Sequence, residues 1–257
     1  MALIRLPVQL WLGIVLAVVL SATGALPPPS SNCQRKCGEV DIPYPFGIGP
    51  DDSPDHCSLP HFNLSCKDSG HGAHKPFSQD LEVLEISLQQ GAARKKMDMS
   101  TYCYNTSIKD MDVVTWSLNL TGTPYTFSHT ANLFTVVGCR TLAYIGDEDD
   151  VGRYMSGCVS MCWRGDVSTL INGSCSGIGC CQTAIPKGLL YYQVWFEPGF
   201  NTSEIYNTSR CSYAALIETS NFTFSTSYAT SSAFYNTYGG QPPLVLDWAS
   251  YRERNMR

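Results

Sequence analysis

Twelve cysteines lie between positions 33 and 211, and that number sets the terms on which this chain can fold. Twelve reduced thiols would be unusual in a reducing cytosol, whereas an even set spread along the sequence is ordinary for a disulfide framework made in an oxidising compartment. The twelve are Cys33, Cys37, Cys57, Cys66, Cys103, Cys139, Cys158, Cys162, Cys175, Cys180, Cys181 and Cys211. Spacing alone leaves their connectivity open. Two constraints follow nonetheless. Adjacent Cys180 and Cys181 point in different directions on an extended backbone and serve two separate bridges. Five cysteines up to Cys103 face seven from Cys139 onward, so complete pairing requires at least one bridge between the two groups.

The N-terminus agrees with an oxidising destination. Arg5 precedes an apolar run over residues 8–20, and the small residues of 21–25 suit a signal peptidase, so residues 1–25 read as a cleaved signal peptide. The alternative, an uncleaved membrane anchor facing outward, is opposed by a run shorter than the roughly 20 residues a span needs. Seven of the eleven asparagines open a sequon, namely Asn63, Asn105, Asn119, Asn172, Asn201, Asn207 and Asn221. Chance would supply about two, so the excess predicts N-glycosylation at surface positions of a secreted chain. A net charge of −5 without a basic stripe excludes nucleic acid as a partner.

Between the first cysteines runs Ile42-Pro43-Tyr44-Pro45-Phe46-Gly47-Ile48. Pro43 and Pro45 fix φ and forbid helix, so Tyr44 and Phe46 sit on an extended clasp, and Tyr44-Pro45 is a candidate cis bond. Downstream come short alternating runs broken by Gly, Pro, Asn and Ser, at 62–65, 81–88, 113–120, 133–137, 189–196 and 222–224. These predict strands, although 81–88 also admits two helical turns. The best helical candidate is 213–218. The chain therefore reads as mainly β, disulfide-rich, built of short strands and loops, with little helix beyond the signal peptide. Its expected divisions are a cysteine-rich domain over 33–107, a second cysteine-rich module over 108–248 and a tail over 249–257.

Catalytic signatures are sparse, and the expectation is a protein that is not an enzyme and needs no metal or cofactor. Gly173-Ser174-Cys175-Ser176-Gly177 has the spacing of a nucleophile elbow, but its centre is a cysteine expected to be bridged. His71 and His74 beside glycines read as a solvated loop, and Asp147-Glu148-Asp149-Asp150 lacks the spaced ligands and turn glycine of a calcium loop. Arg164-Gly165-Asp166 matches an adhesion tripeptide without supporting context. Two features suit carbohydrate. Arg94-Lys95-Lys96 is the dense basic cluster of the mature chain, fit to meet the carboxylates of an acidic polymer. Alternation sends Tyr191 and Trp195 to one face of a strand and Tyr192 and Phe196 to the other, one face for the core and the other a candidate sugar platform.

Taken together, these residues resemble the extracellular region of the plant wall-associated receptor kinases. The first part of the resemblance rests on Cys33, Cys37-Gly38, the clasp, Cys57, Phe62, Leu64, Cys66 and Cys103-Tyr104-Asn105, as in that family's galacturonan-binding domain. The second rests on Val137-Gly138-Cys139, Ser156-Gly157-Cys158, Gly177-Ile178-Gly179-Cys180-Cys181-Gln182, Ile185-Pro186, Cys211 and Leu246-Asp247-Trp248, as in the wall-associated C-terminal module. The resemblance implies binding of pectic polygalacturonate in the cell wall or apoplast. No EGF-like repeat, transmembrane span or kinase motif accompanies it, so a second expectation is a decoy or co-receptor that docks to full-length relatives through the clasp.

Overall fold

The computed structural model describes residues 32–49, 57–70, 72–147 and 154–248. The expected signal peptide, His71, residues 148–150 of the acidic block and the tail lie outside them. Among the described residues, eighteen short strands carry the fold. The first group is β1 (Lys36–Cys37), β2 (Val40–Asp41), β3 (Gly47–Ile48), β4 (Asn63–Asp68), β5 (His74–Ser78), β6 (Leu81–Ser87), β7 (Ala92–Lys96) and β8 (Ser100–Asn105). Next come β9 (Asp110–Val114), β10 (Ser117–Asn119), β11 (Tyr125–Phe127), β12 (Asn132–Val137), β13 (Arg140–Gly146) and β14 (Met155–Met161). The last are β15 (Cys180–Thr183), β16 (Tyr191–Phe196), β17 (Cys211–Glu218) and β18 (Pro243–Trp248), with α1 (Thr226–Thr230) and α2 (Ala233–Tyr238) before the final strand.

Three larger sheets result. One runs β11-β18-β7-β6-β5-β4-β3, a second β15-β12-β17-β8-β9, and a third β10-β16-β13-β14. The seven-stranded sheet takes its strands from both ends of the chain: β18 enters between β7 and β11, pairing Leu244 with Lys95 and Asp247 with Thr126. This seats Trp248 against the clasp, with its ring centroid 5.5 Å from those of both Phe46 and Phe62 and near edge-on to each. Phe46 is fully buried, and such a ring contributes about 2–3 kcal/mol by leaving water. The Tyr44-Pro45 bond is cis. Ile42, Pro45 and Phe46 are buried while Pro43 and Tyr44 are half-buried, so most of the clasp is internal packing.

Every cysteine is bridged. The pairs are Cys33–Cys57, Cys37–Cys66, Cys103–Cys211, Cys139–Cys162, Cys158–Cys181 and Cys175–Cys180. Cys180 and Cys181 serve different partners, as their adjacency requires, and Cys103–Cys211 is the link between the two cysteine groups. That bridge joins β8 to β17 across 108 residues, a closure worth about 4–5 kcal/mol in the chain-entropy account.

Three expectations about elements change. Residues 213–218 form the interior of β17 and not a helix: β17 lies between β12 and β8, and apolar burial on both faces overrides a weak helical pattern. Residues 222–224 form no strand; Phe222 and Phe224 instead meet Tyr228 of α1 and Phe234 of α2 in a second aromatic core. The run at 113–120 is interrupted, β9 and β10 joining different sheets. Residues 81–88 resolve as strand β6.

Candidate functional site

β7 sits between β6 and β18, so its side chains alternate between two environments, and this separates the basic cluster. Arg94 and Lys96 reach one face. The Arg94 Nε donates to Glu218 at 2.8 Å, its Nη1 lies 3.4 Å from Glu85, and the Lys96 ammonium lies 3.1 Å from Glu82, which also holds Lys75 at 3.0 Å. Lys95 turns the other way and is only 2% exposed. The three cations therefore present no common surface.

Lys95 has no counter-ion among the described residues. Its ammonium stands 4.3 Å from the centroid of the Tyr125 ring, an attraction of about 2 kcal/mol when desolvated. No carboxylate or hydrogen-bond acceptor holds it among the described residues. Burial alone lowers its pKa from 10.5 to about 7. Burial also pushes the Tyr125 hydroxyl pKa upward.

The ammonium borders a cleft of about 670 Å³. One wall comes from residues 58–65 and the β5–β6 turn, including His61, Asn63, Ser65, Ser78 and Gln79; the other comes from Leu118, Asn119, Leu120, Thr123 and Tyr125. Among the described residues, the lining has hydroxyls, amides and an imidazole but no acidic group. With no acceptor for it among the described residues, a buried ammonium facing a roomy polar cavity can receive an anion, since a carboxylate entering there would supply its charge partner. Alternation along β7 was the available sequence signal for Lys95. The cleft's far wall lies 23 or more residues downstream of it, and no local pattern announces that approach.

A second surface lies on the outer face of the four-stranded sheet. Tyr192, Val194 and Phe196 of β16 are buried, so Tyr191, Gln193 and Trp195 face outward, half-buried. Trp195 leans over Gly146 so closely that a Cβ there would stand 2.8 Å from the indole, and Tyr144 lies over Gly157 in the same way at 3.2 Å. The Tyr191 hydroxyl donates to the Gln193 amide oxygen at 3.2 Å. Asn119 is the cross-strand partner of Tyr191, so this aromatic face begins where the cleft's wall ends.

The remaining candidates hold no comparable arrangement. Cys175 is in a disulfide. His74 is exposed, and no group of three His, Cys, Asp or Glu side chains converges among the described residues. Asp147 accepts a backbone hydrogen bond from Tyr154, and Asp166 accepts one from Ser168. No described helix is long and apolar enough to cross a membrane.

Residues 33–96 match the family described as wall-associated receptor kinase galacturonan-binding. Over 224 residues, 86% of this chain, the sequence is 34% identical to wall-associated receptor kinase 2 of Arabidopsis thaliana, covering 28% of that protein. It is 32% identical to wall-associated receptor kinase 4 of the same plant, over 84% of this chain and 28% of the relative. Wall-associated receptor kinase-like 3 is 30% identical over 67% of this chain and 25% of its own length. The chain thus spans about a quarter of the length of the relatives it matches. No solved structure matches it.

Proposed function

This chain is homologous to the wall-associated receptor kinases over 86% of its length, and on that premise we propose that it binds ionised galacturonan of the plant cell wall from the extracellular side, without catalysing its breakdown. The observation that carries the reading is Lys95, a buried ammonium with no counter-ion among the described residues, at a cleft whose described lining holds no carboxylate. A galacturonate carboxylate supplies the missing charge, and the hydroxyls and amides around it suit the ring hydroxyls of a sugar. Arg94 and Lys96, being paired with Glu218 and Glu82, act through the framework of β7 and not as free cations. Tyr191 and Trp195 extend the contact by stacking on sugar rings beyond Asn119. Signal-peptide cleavage and secretion to the apoplast or wall belong to the same proposal.

Retention on immobilised polygalacturonate against a neutral glucan, at low and at high salt, tests it. Selective retention that weakens with salt and is lost in Lys95→Met supports the reading. Equal retention on both polymers, or wild-type behaviour of Lys95→Met, overturns it.

A docking role toward full-length relatives finds a different surface from the clasp. Met155, Val159 and Met161 on β14 are exposed, and Trp163 just beyond is 77% exposed. Recovery of no receptor kinase in affinity purification from wall extracts would dispose of this second reading.

A further inference from the structure

Two of the seven sequons border the Lys95 cleft, one on each wall: Asn63 on β4 and Asn119 at the end of β10. The side-chain nitrogen that would carry a glycan differs in its surroundings from one sequon to another. At Asn105 it donates to Asp112, at Asn201 to the Pro198 carbonyl and at Asn221 to Glu218. At Asn63 and Asn119, as at Asn172 and Asn207 away from the cleft, it has no hydrogen-bond partner among the described residues. Asn119 is exposed and Asn63 half-exposed, and the Asn119 Oδ1 accepts from the Thr121 amide at 2.8 Å, which leaves the nitrogen directed away from that turn.

Glycans are bulky and hydrated. A pair of them on two residues that line one cleft leaves room for a ligand that ends inside it, but crowds a polymer that must enter at one side and leave at the other. The aromatic face bears on this directly, because Asn119 stands opposite Tyr191 and a chain running from the cleft onto that face has to pass it. A cleft of about 670 Å³ lies within the usual range for a small ligand, which here means a few sugar rings.

We propose that N-glycans on Asn63 and Asn119 gate the Lys95 cleft, so that the glycosylated protein selects short acidic oligosaccharides and chain ends over the interior of long polymers. This rests on the galacturonan-binding reading above and adds to it the form of the ligand and the modification that selects it. The protein's capture of pectin fragments is then set by its glycan state as well as by its charge.

The test compares one protein in two glycan states. Full-length chain secreted with high-mannose glycans is assayed before and after native trimming to a single N-acetylglucosamine, against a short oligogalacturonide and against long polygalacturonate, and glycopeptide mass spectrometry records occupancy. Trimming is expected to strengthen binding of the long polymer about tenfold and to change binding of the oligomer by less than about twofold. The double variant Asn63→Gln, Thr121→Val should reproduce the gain without trimming, whereas Asn207→Gln, outside the cleft's lining, should not. Unoccupied Asn63 and Asn119, or equal polymer binding in both states, overturns the gate and leaves galacturonan binding standing. Failure of every form to bind either ligand at low salt removes the underlying reading and the gate with it.

Discussion

The Lys95 ammonium lies 4.3 Å from the Tyr125 ring centroid, and this contact joins a strand at the end of the galacturonan-binding match to a strand 30 residues further on. Tyr125 is packed in turn against Phe46 and Phe62, with centroids 6.5 Å and 5.6 Å away. The cation is thus fixed by the same aromatic cluster that anchors the clasp, and its position depends on residues well outside the matched 33–96.

Burial of an unpaired cation costs stability, with a defined pH dependence. Lys95 has a folded pKa of about 7, lowered by desolvation from 10.5. Below about pH 7 the amine is protonated in both states and the full cost is present, on the order of 5 kcal/mol at 1.36 kcal/mol per unit. Between 7 and 10.5 the unfolded chain holds a proton that the folded chain has lost, so stability rises with pH and the cost disappears. Lys95→Met should therefore be more stable than the wild type at pH 6 by a few kcal/mol, with the gap narrowing by pH 9.5. Denaturant unfolding at the two pH values checks this; a pH-independent gap would show that Lys95 does not titrate in the folded protein.

Ligand binding reverses the sign. A carboxylate beside Lys95 holds its proton, so the complex has a higher pKa than the free protein and binding takes up a proton above pH 7. Affinity for an oligogalacturonide is expected to be flat between about pH 5 and 6.5, where uronate and ammonium are both ionised. Above about pH 7 it should fall by up to tenfold per unit. Titration calorimetry in buffers of different ionisation enthalpy measures the proton uptake directly. Affinity that rises above pH 7 would place the carboxylate somewhere other than at Lys95.

Arg94 gives the opposite outcome. Its Nε donates to Glu218, itself 8% exposed and also holding Ser220 and Asn221, so the pair ties β7 to the end of β17. Arg94→Ala strands a buried carboxylate, and because Arg94 is partly exposed the cost should be about 1–3 kcal/mol, or roughly 3–10 °C in melting temperature. Affinity for oligogalacturonide should stay within about twofold of wild type. A loss of binding without a loss of stability would return Arg94 to the ligand.

How far the sequence discloses all this differs from residue to residue. The clasp is legible because two prolines and two aromatic residues dictate an extended segment whatever surrounds it, and the separate bridges of Cys180 and Cys181 follow from local geometry. The β class is legible from alternation. Residues 213–218 mislead because a strand buried on both faces loses that alternation and looks like any apolar run. The basic cluster is visible as charge, but its division into one buried and two paired cations depends on β18 entering beside β7 from more than 140 residues away, which is information held in the fold alone.

The aromatic face supplies the remaining prediction. Trp195 rests over Gly146, and Tyr144 over Gly157, so two rings lie against the sheet with their outer sides toward solvent. If a polymer leaving the cleft crosses this face, each ring it covers should contribute about 0.5–1.5 kcal/mol, or roughly two- to tenfold in affinity. Trp195→Ala in glycan-trimmed protein should weaken long polygalacturonate by that factor, and Tyr191→Ala likewise, while an oligomer confined to the cleft binds as before. Gly157→Val separates sugar stacking from simple loss of a side chain: it keeps both aromatic residues but lifts the Tyr144 ring off the sheet, so polymer binding should fall while Trp195 remains in place. Unchanged polymer affinity in all three variants would confine recognition to the cleft and leave the outer rings a packing role over their glycines.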